Sequence, residues 1–279
     1  MLAVDLGRSA GRLFGALGQT RTRPPGATLK EKGYKEIRKV GKGAFGYAVL
    51  VMREESREYC IAKQMKYKQL AHEQKELIRR EVTNMADITR QGGHAYLVLF
   101  RESFVATNGL MVIIMDYCDG GDLSQLINAQ KKKKTAFAEN QLHLWLLQLL
   151  SAISYLHAHK IIHRDVKPAN VFMHAGLCKL GDLGLSKHIQ MGGTRKQAHT
   201  VCGSPLYLAP EVHMGRAYDK SVDIWALGCT LFEMMMLSRA FVGLDNTEIL
   251  RNIAWARHAP LTGQWTEGLC VWRPLNAHA

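Results

Sequence analysis

The chain has 279 residues, 47% of them hydrophobic, with 37 Lys and Arg against 24 Asp and Glu for a formal net charge of +13. That is enough apolar content for one large domain or two small lobes, and no run reaches the about eighteen apolar residues of a membrane-spanning helix. The cysteines (Cys60, Cys118, Cys178, Cys202, Cys229 and Cys270) are scattered without a C-x-x-C pair, which fits a reduced intracellular chain better than a disulfide framework or a zinc site.

In chain order, residues 1–33 read as a leader outside the domain, expected to be disordered. Arg8, Arg12, Arg21 and Arg23 are accompanied early on by the lone acid Asp5, and the glycines weaken any helix. A transit peptide is the competing reading. Segments 34–41, 48–53 and 58–65 are predicted as short strands. A charged helix follows over 72–90, its apolar residues Leu77, Ile78, Val82, Met85 and Ile88 recurring at helical spacing. Strands near 97–104 and 110–116 would complete a small sheet. Beyond Gly120-Gly121 the pattern turns helical, over 123–130, 140–159 and 222–236. Lys131-Lys132-Lys133-Lys134 lies between two of these helices and reads as a solvated loop. No RNA-binding aromatic motif or zinc-finger spacing accompanies it, so nucleic acid is not favoured as a partner. The order implies an α+β fold, a β-rich small lobe (34–116) joined through 116–121 to a mainly helical larger lobe (122–253), with a divergent tail over 254–279.

Two stretches carry chemistry. Gly41-Lys42-Gly43-Ala44-Phe45-Gly46 is a G-x-G-x-x-G pattern that by itself also marks dinucleotide-binding turns. Here a strand follows it instead of a helix, which favours a hairpin lid whose glycines let backbone amides approach phosphates. The second stretch is His163-Arg164-Asp165-Val166-Lys167-Pro168-Ala169-Asn170, followed by Gly181-Asp182-Leu183-Gly184. Asp165 is the expected catalytic base, orienting a hydroxyl nucleophile, and Lys167, on the same side of an extended loop, screens charge on a transferred phosphoryl group. Asn170 and Asp182 offer the hard oxygens that magnesium prefers. A lone Asp or Asn in a loop is by default a turn former; this combination in this order favours the catalytic reading. His163 reads as structural, packed behind Asp182.

Both segments resemble the catalytic loop and metal-binding loop of eukaryotic protein kinases, H-R-D-x-x-x-x-N and D-F-G. Met115-Asp116-Tyr117-Cys118-Asp119-Gly120-Gly121-Asp122-Leu123, the Pro168-Ala169-Asn170 run and the D-L-G variant at Asp182 resemble, more narrowly, the NIMA-related serine/threonine kinases. The resemblance implies a bilobal kinase fold and transfer of the γ-phosphoryl of Mg-ATP to Ser or Thr hydroxyls of proteins. It also implies roles for single residues. Lys63, in Cys60-Ile61-Ala62-Lys63, would hold the α- and β-phosphates and pair with Glu81, with Glu76 as the competing acid. Ala48 stands where a Val usually covers the adenine. Met115 takes the gatekeeper position, and the backbones of Asp116 and Cys118 would bond the purine. Asp122 is either a helix N-cap or a contact to ribose or a basic substrate side chain. Thr200 is the foremost phosphosite, ahead of Thr194 and Ser186, with Arg164 to receive its phosphate and an upstream activating kinase to add it. Ser204 would bond the catalytic Asp and Lys, and Asp223 would hold the catalytic-loop backbone. By the same resemblance the chain is expected in the cytoplasm, with the cytoskeleton or flagellum as candidate sites there, and without a membrane partner. The residues after Glu211 are too few for the usual closing helices, which implies a shortened C-lobe. The alternative reading is therefore a weak or inactive kinase-fold scaffold.

Overall fold

The computed structural model describes residues 27–43, 46–182 and 205–260. They fall into two compact units that divide between Cys118 and Asp119.

The first unit is an antiparallel sheet of β1 (Tyr34–Gly43), β2 (Gly46–Arg53), β3 (Tyr59–Met65), β4 (Phe100–Val105) and β5 (Met111–Asp116), in the order β1-β2-β3-β5-β4. Its period of two sorts the side chains onto two faces. Val49, Val51, Cys60, Ala62, Val112 and Ile114 point one way and form a core with Leu29, Tyr34 and Phe104. The buried Tyr34 hydroxyl donates to Glu102 Oε1 at 2.8 Å; burial and that carboxylate push its pKa far up. Helix α1 (His72–Arg90) matches its predicted span, buries Ile78, Val82, Met85 and Ile88, and packs on β4. Gln74 accepts from the Ala71 amide at 3.0 Å, half of a capping box, since Ala71 has no oxygen to return the bond.

The strand predicted over 97–104 starts later, at Phe100. The Leu99 amide and carbonyl are both taken by Asp116, at 3.3 Å through its side chain and 3.0 Å through its backbone, and a register irregularity follows between Phe100 and Glu102. A bulge of this kind ends regular pairing.

In the second unit, α2 (Leu123–Lys133) packs on β6 (Val171–His174) and α3 (Glu139–Ala158) on β7 (Leu177–Leu180) of a hairpin, and α5 (Ser221–Met236) packs on α3. The one-turn helix α4 (Pro210–His213) and α6 (Asn246–Ala254) complete the described elements. Helix α5 is buried nearly all round, from Val222 to Met235, so it forms the centre of this unit. Trp225 stacks on Phe241 with ring centroids 5.5 Å apart. Buried Gln148 of α3 accepts from the Cys178 amide at 2.8 Å and ties α3 to β7. The β6–β7 turn places Ala175 at φ 49° and Gly176 at φ 78°, the pair of positive angles of a type I′ hairpin turn.

Lys131, Lys132 and Lys133, predicted to lie in a loop, are instead the last turn of α2, with Lys134 as its C-cap. Three cations on the free carbonyl end of a helix complement its dipole, an effect that a loop assignment from charge density alone leaves out.

Candidate active site

The catalytic-loop segment owes its shape to one buried carboxylate. Asp223, at 0% exposure on α5, accepts from the backbone amides of His163 and Arg164 and contacts His157 Nε2 of α3, each at 2.8 Å. Two backbone donors and an imidazole offset the cost of burying that charge. Arg164 sits at φ 65°, a left-handed conformation that is costly for a side-chain-bearing residue and is held here by the Asp223 bond. Its guanidinium lies 5.9 Å from the centre of the Tyr218 ring.

His163 is 1% exposed and bonded on both nitrogens. Nδ1 accepts from the Asp165 amide at 3.3 Å, so Nε2 carries the proton and donates to the Gly181 carbonyl at 3.1 Å. It couples the base of the loop to the residue preceding Asp182, which agrees with a structural part rather than a proton carrier.

Asp165 is the focus of this arrangement. Lys167 Nζ lies 2.9 Å from its Oδ2, and Asn170 Nδ2 donates to the same oxygen and to the Asp165 carbonyl, both at 2.8 Å. A 3-10 turn over Pro168–Asn170, with Pro at its start, folds Asn170 back to make those bonds. The Asn170 carbonyl then accepts from the Gly181 amide at 2.9 Å, which brings Asp182 to the same end of the β6–β7 hairpin at φ 61°. Asp165, Lys167, Asn170 and Asp182 thus belong to one hydrogen-bonded neighbourhood of the second unit.

Asp122 is the N-cap of α2, accepting from the Gln125 amide at 3.0 Å and contacting Ser124 Oγ and Gln125 Nε2. Gly120 runs against β6: a Cβ there would lie 2.8 Å from Met173 Cβ, and its amide donates to the Met173 carbonyl.

In the first unit, the G-x-G-x-x-G segment closes the β1–β2 hairpin. Gly41 pairs with Ala48, Lys42 with Tyr47 and Gly43 with Gly46. The glycine at 46 is required by contact, since a Cβ there would meet the Gln64 carbonyl oxygen of β3 at 1.7 Å. Ala48 is directly opposite Lys63, Lys63 is opposite Ile113, and Met115 is opposite Ile61. Register therefore puts Ala48, Lys63 and Met115 on one face of the sheet, opposite the face of Val49, Val51, Cys60 and Ala62. The Asp116 carboxylate turns to Arg101 Nε at 2.8 Å, and Cys118 is buried at the end of this unit. Glu76 pairs with Arg79 of its own helix, so it is engaged elsewhere as a partner for Lys63. The Glu81 side chain, Ala44, Phe45, Thr200 and Ser204 lie outside the described residues.

Two contributors escaped the sequence reading. His157 and Gln148 are polar residues at core-facing positions of α3, among Leu149, Ile153 and Leu156. A polar residue interrupting an apolar stripe was the available signal for both. Burial also raises the Cys178 thiol to about 12 and the Cys229 thiol to about 12. Among the described residues there is no cluster of three His, Cys, Asp or Glu that could hold a metal, and no helix long and apolar enough to cross a membrane.

The protein kinase domain family model matches residues 34–268. The chain is 35% identical over 237 residues to the serine/threonine-protein kinase Nek1 of Mus musculus, covering 85% of this chain and 19% of that one. It is 33% identical over 231 residues to Nek5 of Homo sapiens, covering 82% and 31%. It is also 33% identical over 241 residues to the probable serine/threonine-protein kinase nek2 of Dictyostelium discoideum, covering 85% and 56%. The chain thus spans between about a fifth and about half of the length of these relatives.

Proposed function

This chain belongs to the protein kinase family, and on that premise we propose that it is an ATP-dependent protein serine/threonine kinase of NIMA-related type. The observation that carries the reading is the convergence of Lys167 Nζ and Asn170 Nδ2 on Asp165 Oδ2, at 2.9 and 2.8 Å, in a loop anchored by buried Asp223. A carboxylate so held is preorganised to orient a hydroxyl and accept its proton.

In the proposed reaction the Ser or Thr oxygen attacks the γ-phosphorus of ATP in line. The bond to the β,γ-bridging oxygen breaks, ADP leaves with that electron pair, and the hydroxyl proton passes to Asp165. Lys167 offsets charge building on the transferred group, and Lys63 is assigned to the α- and β-phosphates. Asn170 and Asp182 fit magnesium: the amide nitrogen is spent on Asp165, which leaves Oδ1 as a donor, and Asp182 adds a carboxylate, both hard oxygens. Bound there, the ion would neutralise the phosphate oxygens. Control through Thr200 phosphate received by Arg164, with Ser204 bonding the catalytic pair, an upstream kinase, and a cytoplasmic or cytoskeletal location belong to the same proposal on family resemblance.

The test is transfer of label from γ-labelled ATP to a basic protein substrate, comparing wild type with Asp182→Ala. Labelling by the wild type that drops to background in the variant is expected. Equal background labelling by both would favour a kinase-fold scaffold instead.

A further inference from the structure

Helix α2 ends in Lys131, Lys132 and Lys133, and Lys134 follows as its cap at φ 56° and ψ 36°. All four are exposed, and among the described residues none of them takes part in an ion pair. The carboxylate nearest in the helix, Asp122, is at the opposite end and is engaged in capping. Folding alone does not account for this run. The dipole favours cations at this end by only a few tenths of a kcal/mol each, lysines crowded together repel one another, and a left-handed cap favours Gly or Asn over a residue with a Cβ.

The place of this cluster is fixed within its own unit. The N-terminal end of α2 is beside the catalytic loop, since Asp122 bridges to Phe172 and the helix packs on the Pro168–Asn170 turn. With a rise of about 1.5 Å per residue, the 11 residues of α2 put its lysines roughly 15 Å farther along. An extended peptide covers that distance in about five residues.

We propose that residues 131–134 form a docking surface for an Asp/Glu-rich stretch of the protein substrate, about five or more residues from the accepting hydroxyl. Its link to a substrate rests on the kinase reading above, whereas the surface is testable without it. An acidic peptide suits the cluster better than nucleic acid. Phe137, the aromatic nearest in sequence, is buried and offers no stacking platform, and lysines lack the planar fork that reads bases.

The test uses the full chain and the variant K131Q/K132Q/K133Q/K134Q, whose folding is checked by its thermal melt. Fluorescence anisotropy with a labelled Glu-rich peptide should show binding weakened by on the order of tenfold in the variant, since exposed pairs contribute modestly and add up. In parallel, a Ser peptide bearing an acidic tract should have a KM about tenfold below that of the same peptide without it. That advantage should vanish in the variant, with kcat on the tract-free peptide unchanged. Equal peptide affinity in both proteins would overturn the proposal. So would tighter binding of a single-stranded oligonucleotide of the same charge, which would assign the surface to nucleic acid. If neither peptide is phosphorylated while the affinity difference stands, the docking surface is supported and the kinase reading falls.

Discussion

The two units hold their candidate groups by opposite means. In the first, position comes from backbone: strand register sets Ala48, Lys63 and Met115 on one face, and Gly46 leaves room for β2 to touch β3. In the second, position comes from buried polar side chains, with Asp223, His163 and Asn170 pinning the loop that carries Asp165. The first arrangement is sensitive to added volume. The second is sensitive to a lost acceptor.

The sharpest way to test that contrast is Asp223→Ala. It strands two buried amides and an imidazole, and should lower stability by ~3–5 kcal/mol in urea unfolding, with activity lost before the fold. A loss under about 1 kcal/mol would mean that the loop is held by something else. Next in size is Gly46→Ala, whose Cβ would fall 1.7 Å from the Gln64 carbonyl oxygen. Parting β2 from β3 should cost ~1–3 kcal/mol and raise the KM for ATP, whereas Lys42→Ala beside it should leave the melting temperature nearly unchanged.

The smallest effect is a loss of stability at alkaline pH. Burial raises the Cys178 thiol from its ordinary 9.0 to about 12, so the unfolded chain loses this proton first as pH rises. Stability from the buried neutral thiol is full below pH 9 and drains away between 9 and about 12. At about pH 10 the loss from this thiol is on the order of 1 kcal/mol, and Cys178→Ala should remove that share of the alkaline limb of the urea midpoint. An unchanged limb would show that the thiol is not desolvated.

Periodicity and motif spacing made much of this legible. Helix α1 falls on its predicted span because its apolar residues recur without interruption, and the strands up to β3 and β5 differ only at their ends. The loop over 163–170 was legible as a motif, because the resemblance to protein kinases rests on those residues in that order. Of its supports, Asp223 and His163 were read in advance, whereas His157 was not. His157 and Asp223 are 66 residues apart and meet only through packing of α3 on α5. The β6–β7 hairpin was missed because each strand has only 4 residues, too few for an alternation to register. Lys131 to Lys133 are solvent-exposed as their charge density suggested, but helical rather than in a loop, an outcome favoured by the dipole at the end of α2.

The type I′ turn at Ala175 and Gly176 has a bearing on how this chain can change over time. Below it, the pairing of Val171 with Leu180 and the bond from Gly181 back to Asn170 act as a gauge of constant width. Residues gained or lost at the hairpin tip leave that width alone, so length variation can accumulate there. The same change inside either strand would slide Asp182 out of step with Asn170 and turn its neighbours to the opposite face.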